Sequence, residues 1–497
     1  MKNKILLIQP RNTLSLNIYP PLNLIQIGSA LQKREYEVAI VTCPSVNNYK
    51  ERILKECSDV LFVGIGVLTS EVPNAIEIAR MIKHNYEIPI VWGGWHSTLF
   101  PEQMALSELV DKVIVDEGDE SVIQIADEYR NKGRKSISKN RIVNNTNKLD
   151  MEQLSCPDYS LVPNIELYIN TPLSDKFLEF DSRKVRWLPY QASRGCPSFC
   201  TFCINVVTDN RKYRRKSAIK VVDEIETIVH THKINHLKII DDNLFVNTKW
   251  IKDIANRLIE KKLNITWDAE CRVDYLNDKK INDECLGLFV ESGLNELCFG
   301  VESGSQRTLD TIKKEITPSQ SLYAIKKCSE FGIVSRCSFI IDVPGETKED
   351  IFETVKLVNE IRKIPKTSCG VHTYRPYPKS ELCDQLLESG MISQPKKFEE
   401  WSEKEFVEQF TYADAKRRWQ KNFKLSSNIS FYQNLESGFW LRPHQIHNKL
   451  LKVINNFFMK IGKLRNNKLY YGYTVDRYIY SLIRFSFFKY SEWKSKT

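Results

Sequence analysis

The stretch Arg194-Gly195-Cys196-Pro197-Ser198-Phe199-Cys200-Thr201-Phe202-Cys203 places three cysteines in the spacing C-x3-C-x2-C. Thiolates packed this closely, in a chain whose other cysteines are scattered, argue for a soft metal centre rather than a disulfide. A four-iron cluster ordinarily takes four cysteines. Three would leave one iron open to a substrate or cosubstrate. A structural zinc site closes with a fourth ligand, usually from a second distant pair, and the sequence offers no such pair. The thirteen cysteines as a whole fit a reducing cytoplasm with several buried thiols.

At 497 residues the chain is long enough for several domains, and its 42% hydrophobic and 27% charged residues are ordinary for a soluble globular protein. No apolar run approaches the length of a membrane span. The start has a basic flank but an apolar run of only Ile5-Leu6-Leu7-Ile8, too short for a signal peptide and suited to a first strand. The net charge of +10 is concentrated: from His444 to Thr497, Lys and Arg outnumber Asp476 and Glu492 by nine. The basic balance therefore concerns the tail.

Residues 1–130 alternate apolar runs with helical patterns. Strands are expected at Ile5–Ile8, Val38–Val41, Val60–Val67, Ile88–Trp92 and Lys112–Val115. A helix is expected at Pro73–His84, with apolar Ala75, Ile76, Ile78, Ala79 and Ile82. This alternation specifies a doubly wound, Rossmann-like parallel sheet that binds ligands beyond the carboxyl ends of its strands. Those ends carry Gly64, Gly66 and Thr69-Ser70, then Gly93-Gly94-Trp95-His96-Ser97-Thr98, then Glu117-Gly118-Asp119-Glu120. Glycines there admit a bulky ligand to the backbone or simply make tight turns, and the pattern alone leaves both open.

The polar stretch 131–183 loses periodicity. Lys132-Gly133-Arg134-Lys135-Ser136, Asn144-Asn145-Thr146-Asn147 and prolines at Pro157, Pro163 and Pro172 mark it as a linker or strap. Over 184–395 the alternation resumes at intervals of roughly thirty residues, the length of a βα unit. Strands are expected near 186–191, 236–241, 265–270, 296–301, 335–341 and 368–373, with helices at Ala218–His232, Lys249–Lys262, Pro318–Phe331 and Lys348–Lys363. Six such units predict a partial (β/α)6 barrel with its site at the carboxyl ends of the strands. The cysteine trio follows the first strand. Later ends carry Asp241-Asp242-Asn243, then Glu270, Arg272 and Asp274, then Gly300-Val301-Glu302-Ser303-Gly304, Asp342-Val343-Pro344-Gly345-Glu346-Thr347 and Tyr374-Arg375. A carboxylate at Glu302 can accept both hydroxyls of a ribose, Arg272 can grip a carboxylate, and backbone groups around Val343 can face adenine.

Beyond 396 the rhythm gives way to a mainly helical, aromatic-rich extension with Trp401, Trp419, Phe423, Phe431, Tyr432 and Trp440. No cysteine follows Cys383, which excludes a second cluster there. Asn448–Asn467 sets Leu450, Leu451, Val453, Ile454, Phe457, Phe458 and Ile461 at helical spacing among Lys449, Lys452, Lys460, Lys463 and Arg465. Such a basic amphipathic helix either docks its apolar face on the barrel or meets an anionic membrane surface. Tyr470, Tyr471, Tyr473, Phe485, Phe487, Phe488 and Trp493 add interfacial character.

The cysteine spacing, with Arg194-Gly195-Cys196-Pro197 leading in and Phe202 before the last cysteine, resembles the radical S-adenosylmethionine (SAM) superfamily. Pro20-Pro21-Leu22-Asn23-Leu24, Gly93–Thr98 and Glu117–Glu120 resemble the cobalamin-binding domain that precedes the radical domain in one large class of that superfamily. The resemblance implies that Cys196, Cys200 and Cys203 hold a [4Fe-4S] cluster whose open iron chelates SAM, which is cleaved reductively to a 5′-deoxyadenosyl radical. It implies SAM contacts from Phe202, Asp242, Arg272, Glu302, Ser303, Val343 and Tyr374. It implies cobalamin contacts from Pro20, Thr69, Ser70, Gly93, Gly94, His96, Ser97, Glu117 and Gly118. The D-x-H-x-x-G motif that supplies a histidine to cobalt elsewhere is missing, so His96 is expected as a pocket-wall or hydrogen-bonding residue.

The implied enzyme is an anaerobic, cytoplasmic methyltransferase acting on an unactivated carbon or phosphorus centre of a small molecule, of natural-product or lipid-like type. It would be served by an electron donor such as flavodoxin or ferredoxin and would bind no nucleic acid. The alternatives are a cyclase or rearrangement enzyme with the same cofactors, and a non-catalytic corrinoid-binding or sensing protein, against which the intact cysteine trio counts. RNA methylthiolation would need three cluster cysteines in the N-terminal domain, where only Cys43 and Cys57 occur.

Overall fold

Ile5, Leu6, Leu7 and Ile8 are buried along strand β1 (Lys4–Gln9), as an unbroken apolar run requires when helices cover both faces of a parallel sheet. The structure, a computed structural model, describes residues 3–12, 19–45, 48–133, 140–144, 148–170, 185–205, 211–411, 417–436 and 449–483. Arg134, Lys135, Ser136, Asn145 to Asn147, Pro172, Trp440, Phe485, Phe487, Phe488 and Trp493 lie outside them.

The chain divides into two compact units: Met1–Ala269 with Glu291–Gly293 and Arg375–Ala415, and Glu270–Val290 with Leu294–Tyr374 and Lys416–Thr497. In the first unit, β1, β2 (Glu37–Thr42), β3 (Val63–Gly66), β4 (Ile90–Gly93), β5 (Lys112–Val115) and β6 (Ile142–Asn144) form a parallel sheet in the order β2-β1-β3-β4-β5-β6. The order reverses between β1 and β3. A crevice at such a switch point is the usual ligand site of a doubly wound sheet. The helix Val72–Asn85 buries Ala75, Ile76, Ile78, Ala79 and Ile82 as their spacing predicts, and Pro73 sits in its first turn, where no amide hydrogen bond is lost. Strand β6 and the short helix Ile165–Ile169 fall inside the stretch expected to lack periodic structure. β6 is only three residues long, and its pairing with β5 defines it rather than its own pattern.

The same unit continues with β7 (Trp187–Tyr190), β8 (Ser193–Arg194), β9 (Arg214–Arg215), β10 (His236–Ile239) and the first four residues of β11 (Thr266–Cys271). β7, β10 and β11 are parallel neighbours. The helices Ala218–His232 and Thr248–Lys261 between them start on Ser217 and Asn247, whose side chains accept from Lys220 N and Trp250 N. In the second unit, β12 (Leu294–Glu302), β13 (Val334–Ile341) and β14 (Thr367–Thr373) are again parallel. The helices Pro318–Glu330 and Lys348–Ile361 open with capping boxes at Thr317/Gln320 and Thr347/Asp350. Six β/α units thus follow one another along the chain, as the spacing predicts.

The C-terminal extension closes the second unit through buried amides as well as apolar side chains such as Ile429, Leu435 and Phe458. On helix Phe423–Glu436, Asn434 donates to the Val371 carbonyl (2.7 Å) and accepts from the Val371 N–H (3.1 Å), so one side chain satisfies both groups of a β14 residue. On helix Lys449–Asn467, the buried Asn466 donates to Tyr432 O (3.2 Å) and Glu436 Oε2 (2.6 Å) and accepts from Tyr471 OH (3.1 Å). Asn455 accepts from Tyr480 OH (2.9 Å). Asn455, Phe458, Gly462 and Asn466 are the buried positions of this helix, while Val453 and Phe457, expected on its docked face, are exposed.

Replacing Asn434 by Leu should strand the Val371 N–H, while the carbonyl keeps the Ser430 hydroxyl (2.8 Å), and lower stability by about 1–3 kcal/mol. Guanidinium denaturation of the full chain measures this, and a change below about 1 kcal/mol would remove the amide clamp from the account.

Candidate functional site

The cysteine loop is clamped before its chemistry begins. β8 and β9 pair antiparallel through Ser193–Arg215 and Arg194–Arg214, so both ends of the loop are tied together just past β7. Gly195 turns the chain at a φ of +87°, a region that favours glycine. Its N–H donates to Asp242 Oδ2 (3.2 Å). The neighbouring Asp241 accepts from Ala192 N (2.8 Å) and from the Ser193 hydroxyl. The two carboxylates after β10 thus hold the backbone that leads into the cysteines. Asn243 Nδ2 donates to Cys196 Sγ (3.4 Å). Cys200 is buried and Cys196 and Cys203 are half-buried. Burial pushes the Cys203 thiol up to about 12, so near neutral pH a cation is needed to hold it as thiolate. Three soft donors on one loop fit an iron–sulfur cluster with one iron left open.

A cavity of about 650 Å³ lies beyond the carboxyl ends of β1, β3, β4 and β5. Gly64, Gly66, Gly93, Gly94 and Gly118 line it from the sheet, and Gln191, Arg194, Lys238 and Asp242 line it from the β7–β10 side, all within the first unit. Gly94 has a φ of +90°, and a Cβ there would stand 2.8 Å from the Val67 N and O atoms. No other residue fits that turn. The cavity and the glycine cradle suit a large flat ligand laid against backbone.

Of the residues expected here, Pro20, Gly93, Gly94, Glu117 and Gly118 line the cavity, whereas Thr69, Ser70, His96 and Ser97 do not. The helical turn Trp95–Leu99 that starts at Gly94 rotates His96 and Ser97 inward. Ser97 Oγ donates to Gly93 O (3.1 Å). His96 Nδ1 meets Thr69 Oγ1 (3.2 Å), and its ring packs against Trp401 (4.8 Å) and Phe100 (5.1 Å). Burial lowers His96 to about 3, so it is neutral. It hydrogen-bonds, but it is not a pocket wall. Thr98 lines the cavity instead, donating to Gly94 O (3.1 Å) and accepting from Asp116 N (2.9 Å).

Sequence reasoning missed Glu71, a buried carboxyl that lines the cavity and accepts from Leu68 N (2.8 Å). A single Glu after a strand carries no spacing signal. It also missed the charge cluster at the cavity rim. Arg194 Nη1 lies 3.3 Å from Asp119 Oδ2 and 3.4 Å from Glu117 Oε1, and Arg214 pairs with Glu117 and donates to Leu149 O (2.9 Å). Although burial pushes the other way, the Arg214 hydrogen bond and the two guanidinium charges hold the Glu117 carboxyl below its usual range. Glu117 is thus committed to arginines as well as to the cavity wall.

Phe202, half-buried on the cysteine loop, belongs to the first unit, and the other candidates belong to the second. Glu302, held at a φ of +64°, accepts from Lys314 Nζ (2.9 Å), while Arg272 donates to Lys314 O (2.8 Å) and to Asp274 Oδ1 (2.9 Å). The expected ribose and carboxylate binders therefore meet through one lysine. Ser303 turns its hydroxyl to Thr354 Oγ1 (2.8 Å) and accepts from Ser305 N (3.1 Å), so it anchors the helix Lys348–Ile361. Val343 N donates to Glu346 Oε2 (3.2 Å) and Val343 O accepts from Glu346 N (2.9 Å). Those backbone groups close a turn instead of facing outward. Tyr374 is buried edge-on to Trp419, at 6.1 Å between ring centres.

A cysteine-bearing β/α domain behind a doubly wound sheet with a glycine-lined cavity defines a class, and comparison with known proteins gives it a name. Residues 12–126 match the B12 binding domain family and residues 190–358 the Radical SAM superfamily. The chain belongs to the cobalamin-binding radical SAM family. It is 30% identical over 380 residues to an uncharacterized methyltransferase of Pyrococcus horikoshii, covering 75% of this chain and 80% of the relative. It is 27% identical over 385 residues to an anaerobic magnesium-protoporphyrin IX monomethyl ester cyclase of Rubrivivax gelatinosus, covering 74% and 66%. Among solved structures it shares the fold of the cobalamin-dependent SAM radical enzyme OxsB with aqua-cobalamin bound, at a TM-score of 0.67 and 18% identity over 94% of this chain and 72% of that one.

Burial raises the Glu71 carboxyl to about 7. The folded state then holds the proton more tightly than the unfolded chain, so this contribution is complete below the ordinary carboxyl range and is lost as pH rises through about 7. Glu71→Gln, which still accepts from Leu68 but cannot ionise, should gain about 2–3 kcal/mol relative to the parent over that window. Denaturation midpoints across pH read this out, and parallel profiles would contradict it.

Proposed function

We propose that the chain is a cobalamin-dependent radical SAM methyltransferase that acts on an unactivated carbon or phosphorus centre of a small molecule. The observation that carries this reading is the single cavity that runs from the glycine-lined strand ends to Asp242 and Arg194 beside the cysteine loop. When bound, a [4Fe-4S] cluster supplies the electron for SAM cleavage and cobalamin carries the methyl group. Cys196, Cys200 and Cys203 would hold the cluster. Gly64, Gly66, Gly93, Gly94 and Gly118 would admit the corrin to backbone contact, and His96, neutral and enclosed by aromatic rings, would stay off the cobalt. Asp241, Asp242 and Asn243 would fix the cysteine loop. Glu302, Arg272 and Tyr374 are the SAM candidates that lie in the second unit, where Lys314 pairs with Glu302.

The reading further assigns a cytoplasmic, anaerobic setting and a reductant of the flavodoxin or ferredoxin kind. Among the described residues no helix is long and apolar enough to cross a membrane. The likeness to the Rubrivivax cyclase supports a second reading, ring closure with the same cofactors and no methyl transfer.

Two measurements decide between these readings. The parent, purified without oxygen, should carry about four irons per chain, and the Cys196→Ala/Cys200→Ala/Cys203→Ala variant none. Retained iron in that variant would refute the cluster assignment. With SAM, methylcobalamin and candidate small molecules, a product heavier by one methyl group supports transfer, and a product lighter by hydrogen alone supports closure.

A further inference from the structure

Among the described residues, the amides that dock the C-terminal helices leave another face uncovered. Val453, Phe457 and Leu464 recur at helical spacing on Lys449–Asn467, so they form one stripe. The helical segment 475–483 carries a second stripe with Tyr478 and Leu482. Exposure of these five residues runs from 51% at Leu482 to 67% at Tyr478, and Tyr473, between the two helices, is 87% exposed; apolar side chains exposed together in this way mark an interaction surface.

The charge around the stripes has one sign. Helix Lys449–Asn467 contains no acidic residue, Lys452, Lys460 and Lys463 are exposed on it, and Lys468 is exposed just after it. The nearby Asp476 is engaged by Arg465 (2.7 Å) and by Tyr432 OH (3.0 Å), so it does not offset them. Two candidate occupants fail on this charge and polarity. A second copy meeting this face across a twofold axis would set lysines against lysines. A purely ionic partner would leave the apolar stripes in water.

We propose that this face docks the enzyme on an anionic lipid surface, with the Val453–Phe457–Leu464 stripe in the headgroup–acyl boundary and the lysines on lipid phosphates. Tyr473 and Tyr478 have the amphipathic rings that favour that boundary. The inference is independent of the cofactor assignment, because it uses no residue of the cavity or the cysteine loop.

Cosedimentation of the full chain with phosphatidylcholine vesicles, with and without phosphatidylglycerol, tests it. Binding should require the anionic lipid and fall with added salt. Neutralising Lys460 and Lys463 to Gln should weaken it by about fivefold per lysine. Phe457→Asp/Leu464→Asp, at exposed positions that leave the amide contacts intact, should abolish it while circular dichroism and iron content stay at parental values. Equal pelleting with neutral and anionic vesicles, or unchanged binding of both variants, would overturn the proposal. So would a concentration-dependent dimer, seen by analytical ultracentrifugation, that Phe457→Asp/Leu464→Asp disrupts, because a second copy would then cover the face.

Discussion

Arg194 is half-buried between Glu117 and Asp119, at the start of the helix Gly118–Lys132, and it stands two residues before Cys196. A guanidinium partly withdrawn from water is held by the carboxylates and hydrogen bonds that replace the lost hydration. That constraint fixes the cysteine loop against the strand ends of the N-terminal sheet. Arg214, one rung across the β8–β9 ladder, repeats the contact through Glu117. The loop that would hold the cluster and the cavity that would hold the corrin are therefore set by the same ion pairs.

The other constraints follow from strand direction. Parallel strands deliver their carboxyl ends to one side, and side chains with unmet hydrogen bonds collect there. Gly94 lets the backbone turn against Val67, Asp242 catches the amide of Gly195, and Glu302 is held in a left-handed conformation where β12 ends. Strain of that kind in a non-glycine residue costs on the order of 1–3 kcal/mol and persists where the surroundings over-determine it. It marks the place where the second unit presents its polar groups.

Much of this was legible in the sequence, because strands buried on both faces read as apolar runs and the helices between them keep an apolar stripe. β5 and the helix Ala218–His232 fall at the expected residues. The cysteine spacing was legible for a different reason: ligands that must share a small loop cannot drift in sequence. What could not be read was the direction of side chains within a turn. His96 and Ser97 lie in the expected segment, yet the helical turn after Gly94 carries them inward and brings Thr98 to the cavity. Ser303 and Val343 likewise spend their polar groups on local contacts. For the last long helix the pattern leaves two readings, docked or lipid-facing; amides of Asn455 and Asn466, paired with tyrosines and carbonyls, hold its buried face, and Val453 and Phe457 stay exposed.

The central claim is that the cysteine loop and the cavity beside it form a site for reductive SAM chemistry. Its most direct test is the formation of 5′-deoxyadenosine by the anaerobically reconstituted full-length chain, given SAM and a strong reductant and followed by mass spectrometry. The account predicts 5′-deoxyadenosine from the parent and none from the variant lacking the three loop cysteines. A parent that carries its full complement of iron yet yields no 5′-deoxyadenosine, or a variant that yields as much as the parent, would contradict it.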